Sequence, residues 1–315
     1  MAKPDVLVLA KNIPLILDEL PQFCTLHKLY EETDKDAFIA ANKEKIQAIV
    51  TSYNVGAKAD LISSLPNLKI ICCFGVGVDA IDLGKAKELG IPVTNTPGVL
   101  TEDTADTALA LLLTTLRKAC AADRFVRSKS WSKNDFPLAT SLSVGGKKAG
   151  IVGLGDIGKA VAKRIEAFGS TICYQGPREK PEVPYKYFPT VEALAKEVDF
   201  LVLTCPGGAA TFHIVNRPVL DALGPNGFVI NVARGSVVDE KELVQALVEK
   251  RIAGAGLDVF ESEPKVPEEL LSMDNVVLFP HIGSATIETR SNMARLMMDN
   301  LRAHFDGKPL LTQVQ

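Results

Sequence analysis

Short, almost wholly apolar runs recur along this chain, each separated from the next by a stretch long enough for a helix. Residues 6–9, 48–51, 70–73 and 93–95 form a first series. Residues 147–152, 171–174, 200–204, 228–232, 255–259 and 276–279 form a second. A strand that is apolar on successive residues has no face to offer water, so it must be covered on both sides. Helices between consecutive strands supply that cover, and their right-handed crossovers leave the strands parallel. The pattern therefore predicts an α/β protein with two doubly wound parallel sheets. In the second series, helices are expected at 157–168, 191–196, 217–223, 240–250 and 268–272. With 315 residues, there is chain enough for two domains, each with its own core.

Between the two series, Thr96-Pro97-Gly98 breaks the rhythm. Residues 101–128 then read as one long helix, with Ala105, Leu109, Leu112 and Leu116 on an apolar face. A helix this long can span two domains or pack against a second subunit. Residues 285–304 form a last helix, long enough to return to the first domain.

Several partner classes are argued against. The formal charge is −3 with no block of like charges, which disfavours nucleic acid. No apolar run reaches the roughly 20 residues of a membrane helix. The amino-terminal residues resemble neither a secretory nor a transit leader, so a cytosolic location is expected. Cys24, Cys72, Cys73, Cys120, Cys173 and Cys205 show no Cys-x-x-Cys spacing, so reduced thiols and no metal are expected.

Gly153-Leu154-Gly155-Asp156-Ile157-Gly158 follows the apolar residues 149–152 and opens a helix carrying Val161, Ile165 and Phe168. In that context the glycines read as a dinucleotide cradle. Gly153 permits the turn, Gly155 lets backbone approach a pyrophosphate, and Gly158 lets helix and strand pack closely. The amides at 155–157 then face an anion at a helix N-terminus, with the Asp156 side chain directed away. The alternative is a glycine turn with no ligand. About 20 residues on, an NAD site usually carries an acid, and Gln175 and Gly176 stand there instead, with Arg178 and Lys180 beyond. That favours NADP, NAD remaining possible if Arg178 is only an exposed loop cation.

Three strand ends carry the candidate chemistry. Arg234 ends the strand at 228–232, where its guanidinium can hold a carboxylate and polarise a keto group; alternatively it is satisfied by turn carbonyls. His281, in Pro280-His281-Ile282-Gly283, can deliver a proton to the developing alkoxide. Glu263 follows a third strand and would favour the proton-loaded imidazole. Asp258 either holds a carboxamide or is a structural acid. Residues 74–79 either present backbone amides to a carboxylate or form a plain strand-to-turn junction. His27, His213 and His304 lack such settings and read as ordinary surface or helix-end residues. Tyr53, Trp131 and Phe136 are candidates for lining a pocket wide enough for an aromatic acid, or for core or dimer contacts.

Residues 96–106, the glycine turn, Asn231-Val232-Ala233-Arg234-Gly235, Glu261-Ser262-Glu263-Pro264 and residues 280–286 together resemble the D-isomer-specific 2-hydroxyacid dehydrogenases, over essentially the whole chain. Within that family the chain is most similar to the plant hydroxyphenylpyruvate reductase group, notably at 288–290 and 307–312. The resemblance implies a Rossmann cofactor domain at 97–281 and a flavodoxin-like substrate domain at 1–96 plus 282–315, in a homodimer. It implies NADPH-preferring reduction of 4-hydroxyphenylpyruvate, hydroxypyruvate and glyoxylate to (R)-2-hydroxy acids. Arg234, Glu263 and His281 would be catalytic, with Arg234 and His281 also touching substrate and Val76 and Gly77 holding its carboxylate. Gly153 to Gly158 (Leu154, Gly155, Asp156 and Ile157 included) and Gly176, Pro177 and Arg178 would hold cofactor. Cys205 and Thr211, near where adenine should lie, would join them, as would Val232, Ala233, Asp258 and Gly283. Two alternatives stand beside this: a hydroxypyruvate/glyoxylate reductase without aromatic activity, and a dinucleotide-sensing module that catalyses nothing.

Overall fold

The computed structural model describes residues 3–11, 14–132 and 141–314. It divides into two units, Met1–Leu100 with Thr286–Gln315, and Thr101–Ala285. The expected boundaries, at 96/97 and 281/282, each stand four residues before these.

Unit 1 has strands β1 (Asp5–Val8), β2 (Thr25–Lys28), β3 (Ile46–Ser52), β4 (Ile70–Phe74) and β5 (Val93–Thr94) in the order β2-β1-β3-β4-β5, all parallel. This is the flavodoxin-like order. Its helices are α1 (Pro14–Glu19), α2 (Lys35–Asn42), α3 (Ala59–Ser64), α4 (Leu83–Glu88) and the last helix of the chain, α12 (Ile287–Phe305). Leu7, Ile49, Ile71 and Val93 pack from one sheet face onto Ile62 and Ala86 of α3 and α4. Beyond α12 the tail turns back along β5. Buried Asn300 accepts from the amides of Leu311 (3.0 Å) and Thr312 (3.1 Å), and the Val314 amide donates to Val93 O at 2.8 Å. The tail thereby covers backbone that β5 would otherwise leave open at a sheet edge.

Unit 2 begins with α5 (Thr101–Leu116) and α6 (Ala119–Arg127). The single helix expected over 101–128 is thus two. Lys118 takes the left-handed conformation (φ 51°), and the Leu116 carbonyl accepts from the Leu142 amide at 2.9 Å rather than continuing the helix. There follow β6 (Lys148–Val152), α7 (Asp156–Glu166), β7 (Thr171–Gln175), β8 (Lys186–Phe188), α8 (Val191–Ala195), β9 (Phe200–Leu203), α9 (Arg217–Leu223), β10 (Phe228–Asn231), α10 (Glu240–Val248), β11 (Gly254–Leu257), α11 (Glu268–Leu271) and β12 (Val276–Leu278). The sheet order is β12-β11-β10-β9-β6-β7-β8, all parallel, so the winding reverses between β6 and β9. That switch point is where an open α/β sheet leaves a crevice for a ligand.

The inner strands β9, β10 and β11 of unit 2 are buried on both faces, with a period of two. Leu201, Leu203, Val229 and Leu257 join the core with Leu194, Leu220 and Leu243 of α8, α9 and α10. Phe200, Val202, Ile151 and Ile230 join the opposite core with Leu112 of α5 and Val161 and Ile165 of α7. Each such side chain contributes about 1.5–3 kcal/mol by leaving water. Among the described residues, no helix is long and apolar enough to cross a membrane.

Strands β2 and β8 have no counterpart in the sequence reading. Both lie at sheet edges, and their residues (Thr-Leu-His-Lys and Lys-Tyr-Phe) carry polar side chains that a two-sided apolar criterion passes over.

Candidate active site

Helices α2, α4, α8, α10 and α12 each start at a residue (Asp34, Asp82, Thr190, Asp239 and Thr286) whose side chain accepts an amide three positions on. Helix α7 does not. Its N-cap is Gly155, with no side-chain cap, so its first-turn amides and positive dipole end lack that satisfaction. A Cβ built on Gly155 would meet nothing within 4 Å, whereas one on Gly158 would lie 2.3 Å from the Gly153 carbonyl oxygen. The turn is thus closed below and open above, as an approaching phosphate requires. Cys205, its thiol pushed up to about 11 by burial, walls the turn at Gly153.

Two further side chains set this turn and went unassigned in the sequence reading. Thr204 Oγ1 donates to Gly153 O at 2.7 Å, and Lys180 Nζ donates to Leu154 O at 2.7 Å. The second places an ammonium beside the anion-facing loop. Tyr174 OH accepts from the Lys180 amide at 2.6 Å, and Tyr187 OH donates to Gly176 O at 3.2 Å, which shapes the segment after β7. Pro177 and Arg178 are exposed there, and Arg178 has no ion-pair partner among the described residues. Thr211 Oγ1 donates to Pro206 O at 2.6 Å, closing the loop after β9.

At the carboxyl end of β10, Asn231 is buried and folds its own strand end. Its Oδ1 accepts from the Ala233 amide, and its Nδ2 donates to Arg234 O, both at 3.0 Å. Val232 and Ala233 are buried, and the half-buried Arg234 donates from Nη1 to Ala233 O at 2.7 Å. That bond turns a guanidinium donor onto a turn carbonyl.

Glu263 and His281 meet. Glu263 Oε2 lies 2.8 Å from His281 Nδ1, and Glu263 Oε1 accepts from the Phe260 amide at 3.1 Å. Burial pushes the Glu263 carboxyl up, but the His281 bond and charge, the Phe260 amide and the Arg234 charge outweigh it and leave the group below its ordinary value. Arg234 thus acts on Glu263 through its field. His281 itself sits in the left-handed region (φ 56°).

Asp258 holds that loop. Its Oδ1 accepts from Ile282 N at 2.7 Å, its Oδ2 from Gly283 N at 2.8 Å, and its carbonyl from His281 N at 2.8 Å. It is 1% exposed, and burial raises its carboxyl against the pull of those amides and of His281. These bonds give Asp258 a structural role, and since each carboxylate oxygen can accept more than one donor they leave its carboxamide reading intact.

In unit 1, neither the Val76 nor the Gly77 amide donates to a protein acceptor among the described residues, and Val76 is exposed. A cavity of about 450 Å³ lies at the carboxyl ends of β1, β3 and β4 and includes Tyr53, Tyr30, Phe74, Lys11 and Arg290. Trp131 is exposed, and Phe136 lies outside the described residues. Two of the other histidines depart from the reading as ordinary surface groups. His27 lies 2.7 Å from Asp5, and His213 lies 2.7 Å from Glu261. His304 stands in the last turn of α12, where burial and Lys69 lower it.

Glu263→Gln is expected to lower kcat about 100-fold, since the amide cannot stabilise a charged imidazole as a carboxylate does. Because the folded Glu263 carboxyl is depressed, its contribution to stability is complete above the ordinary glutamate value and disappears as pH falls through the folded one. The stability gap between wild type and variant, measured by denaturant titration at neutral pH and in acid, is expected to close in acid. A gap that persists unchanged there contradicts this electrostatic account.

The family model described as "D-isomer specific 2-hydroxyacid dehydrogenase, NAD binding domain" matches residues 109–283. The chain is similar to glyoxylate/hydroxypyruvate reductase A of Arabidopsis thaliana, 52% identical over 98% of each chain. It is similar to a hydroxyphenylpyruvate reductase of Plectranthus scutellarioides, 50% identical over 98% of each. Among solved structures, an NADPH-dependent glyoxylate/hydroxypyruvate reductase from Sinorhizobium meliloti, in complex with NADP and malonate, superposes with a TM-score of 0.92 at 43% identity, covering 99% of this chain and 97% of that one.

Proposed function

We propose a reduction for this chain, which belongs to the D-isomer-specific 2-hydroxyacid dehydrogenase family: it converts 2-oxo acids to (R)-2-hydroxy acids. It is an NAD(P)-dependent oxidoreductase of the glyoxylate/hydroxypyruvate reductase type. The proposed substrates are 4-hydroxyphenylpyruvate, hydroxypyruvate and glyoxylate, and the preferred cofactor is NADPH. The observation that carries the reading is the 2.8 Å bond between Glu263 Oε2 and His281 Nδ1.

When bound, the reduced nicotinamide supplies a hydride to the keto carbon. Arg234 holds the substrate carboxylate and keto oxygen through its planar donors and draws charge onto that oxygen. His281 gives the oxygen a proton from Nε2, because Nδ1 is engaged by Glu263. Glu263 fixes the ring's orientation and balances the imidazolium, while Asp258 fixes the backbone on which the ring stands. The uncapped amides of α7 and the Lys180 ammonium suit a pyrophosphate. The unpaired Arg178 suits a 2′-phosphate. The carboxylate-binding roles of Val76 and Gly77, and the cofactor roles of Cys205, Thr211, Val232, Ala233 and Gly283, belong to the same proposal. So do a homodimer and a cytosolic setting. Six free cysteines, five of them buried, support a reducing compartment.

Initial rates of NADPH oxidation with the three acids, repeated with NADH and with Arg178→Ala, test this. Turnover of 4-hydroxyphenylpyruvate is expected, with at least about tenfold higher kcat/KM for NADPH than NADH, a gap that Arg178→Ala narrows. Activity confined to glyoxylate and hydroxypyruvate would remove the aromatic substrate. Cofactor binding without turnover of any acid would remove the reduction itself.

A further inference from the structure

Outside the groups already given roles, one cluster of titratable side chains stands directly behind the Glu263–His281 pair. His213 follows the loop after β9, in a left-handed backbone conformation (φ 49°), with its ring stacked on Phe212 at 3.9 Å. Its Nε2 lies 2.7 Å from Glu261 Oε1, and its Nδ1 lies 3.7 Å from Asp239 Oδ2. Its amide donates to Ser236 O at 2.8 Å, in the segment that follows Arg234. The Glu261 amide donates in turn to Glu240 Oε2 at 3.0 Å. A Cβ on Gly235 would fall 2.0 Å from the Phe260 carbonyl carbon, so the backbone after Arg234 lies hard against residues 260 and 261. Phe260 is the residue whose amide binds Glu263.

Three carboxylates, Glu240, Glu261 and Glu263, are therefore gathered beside one short loop. Burial, together with the charges of Glu261 and Glu263, pushes the Glu240 carboxyl up, a sign of that crowding. An exposed ion pair on its own contributes little. His213 differs because its one ring joins three segments, 211–215, 234–240 and 260–263, and two of these carry Arg234 and Glu263.

We propose that His213 is a positioning residue for the reduction: through Glu261 it holds the 260–263 loop so that Glu263 faces His281. The proposal rests on the reduction argued above. His213 touches neither substrate nor cofactor in it; its effect passes through the Glu263–His281 bond. An alanine at 213 leaves Glu240, Glu261 and Glu263 facing one another without the imidazole between Asp239 and Glu261, and the loop relaxes away from His281.

The test is a double-substitution cycle in the full-length protein, with His213→Ala, His213→Gln, Glu263→Gln and the combination of His213→Ala with Glu263→Gln. His213→Ala is expected to lower kcat about tenfold, with KM for the oxo acid and Kd for NADPH within about twofold of wild type. His213→Gln, which can still donate to Glu261, restores most of the rate. The combined variant is no slower than Glu263→Gln alone, because both changes act on one bond. An unchanged kcat in His213→Ala, or losses that multiply in the combined variant, overturns the proposal. A readout free of turnover separates its failure from failure of the reduction. The chain has four histidines, so imidazole resonances assign by single substitution. His213→Ala is expected to shift the His281 ring signals. If no 2-oxo acid is reduced yet those signals move, the reduction falls and the positioning stands; unmoved signals overturn the positioning.

Discussion

His281→Asn is expected to lower kcat for reduction by about 10²- to 10⁴-fold, the range over which a positioned proton donor acts. Asparagine is the informative replacement because His281 lies at φ 56°, a region asparagine tolerates and alanine does not favour. The Asp258 clamp uses the backbone amides of Ile282 and Gly283 and the His281 amide, none of which the substitution removes. The loop should therefore keep its shape while losing its imidazole. NADPH affinity, followed by fluorescence titration, is expected within about twofold of wild type, with the deficit confined to kcat. The oxidation direction should lose the same factor, since the group that protonates an alkoxide in one direction deprotonates the alcohol in the other. A variant retaining a third or more of the wild-type kcat would exclude His281 as the donor.

Gly158→Ala and Gly155→Ala should separate what the glycine turn does for folding from what it does for cofactor. At Gly158 the added methyl meets the Gly153 carbonyl at 2.3 Å and Thr204 Oγ1 at 2.9 Å. That carbonyl is backbone, fixed by Thr204 Oγ1 at 2.7 Å, so relief requires moving the whole turn. A destabilisation of about 1–3 kcal/mol is expected from this overpacking. It would appear as a fall in Tm of about 3–10 °C, together with at least tenfold weaker cofactor binding. Gly155 has an ordinary φ of −82° and open space above it, so Gly155→Ala should leave Tm within about 2 °C. The space it fills is the proposed path of the phosphates, so its Kd for NADPH should still rise about tenfold. Thermal melts and titrations on both variants decide the matter. Equal Tm values for the two would show that the 2.3 Å approach is relieved without cost.

Much of the candidate site was legible in the sequence because its residues sit where strands end. Apolar runs at 228–232, 255–259 and 276–279 locate the sheet edge, and Arg234, Glu263 and His281 follow them directly. What escaped depends on contacts that no local pattern encodes. His213 shows nothing in its own neighbourhood to distinguish it from a surface histidine, because its partner stands 48 residues away. Asp258 shows in the sequence only as an acid at a strand end, and its bonds to the Ile282 and Gly283 amides, 24 and 25 residues on, are set by the fold. The break after Leu116 is set by a carbonyl taken up by Leu142, in a stretch whose apolar spacing otherwise continues. Lys180 was visible as a cation beyond the strand, but its bond to Leu154 requires the turn of β7 to be known.

The pairing of the chain's tail with β5 also fixes an order of events during synthesis. The middle unit, Thr101–Ala285, is one uninterrupted stretch and can close its sheet once its last strand emerges. The leading hundred residues cannot. Their strand β4 packs against α12, and β5 waits for the bonds made by residues 312–314, so the first part translated is the last completed. Once residues 101–285 have left the ribosome the middle unit can fold while the leading sheet still lacks α12. Until α12 arrives, the face of β4 that it covers stays open, which leaves apolar surface to chaperones and to neighbouring chains.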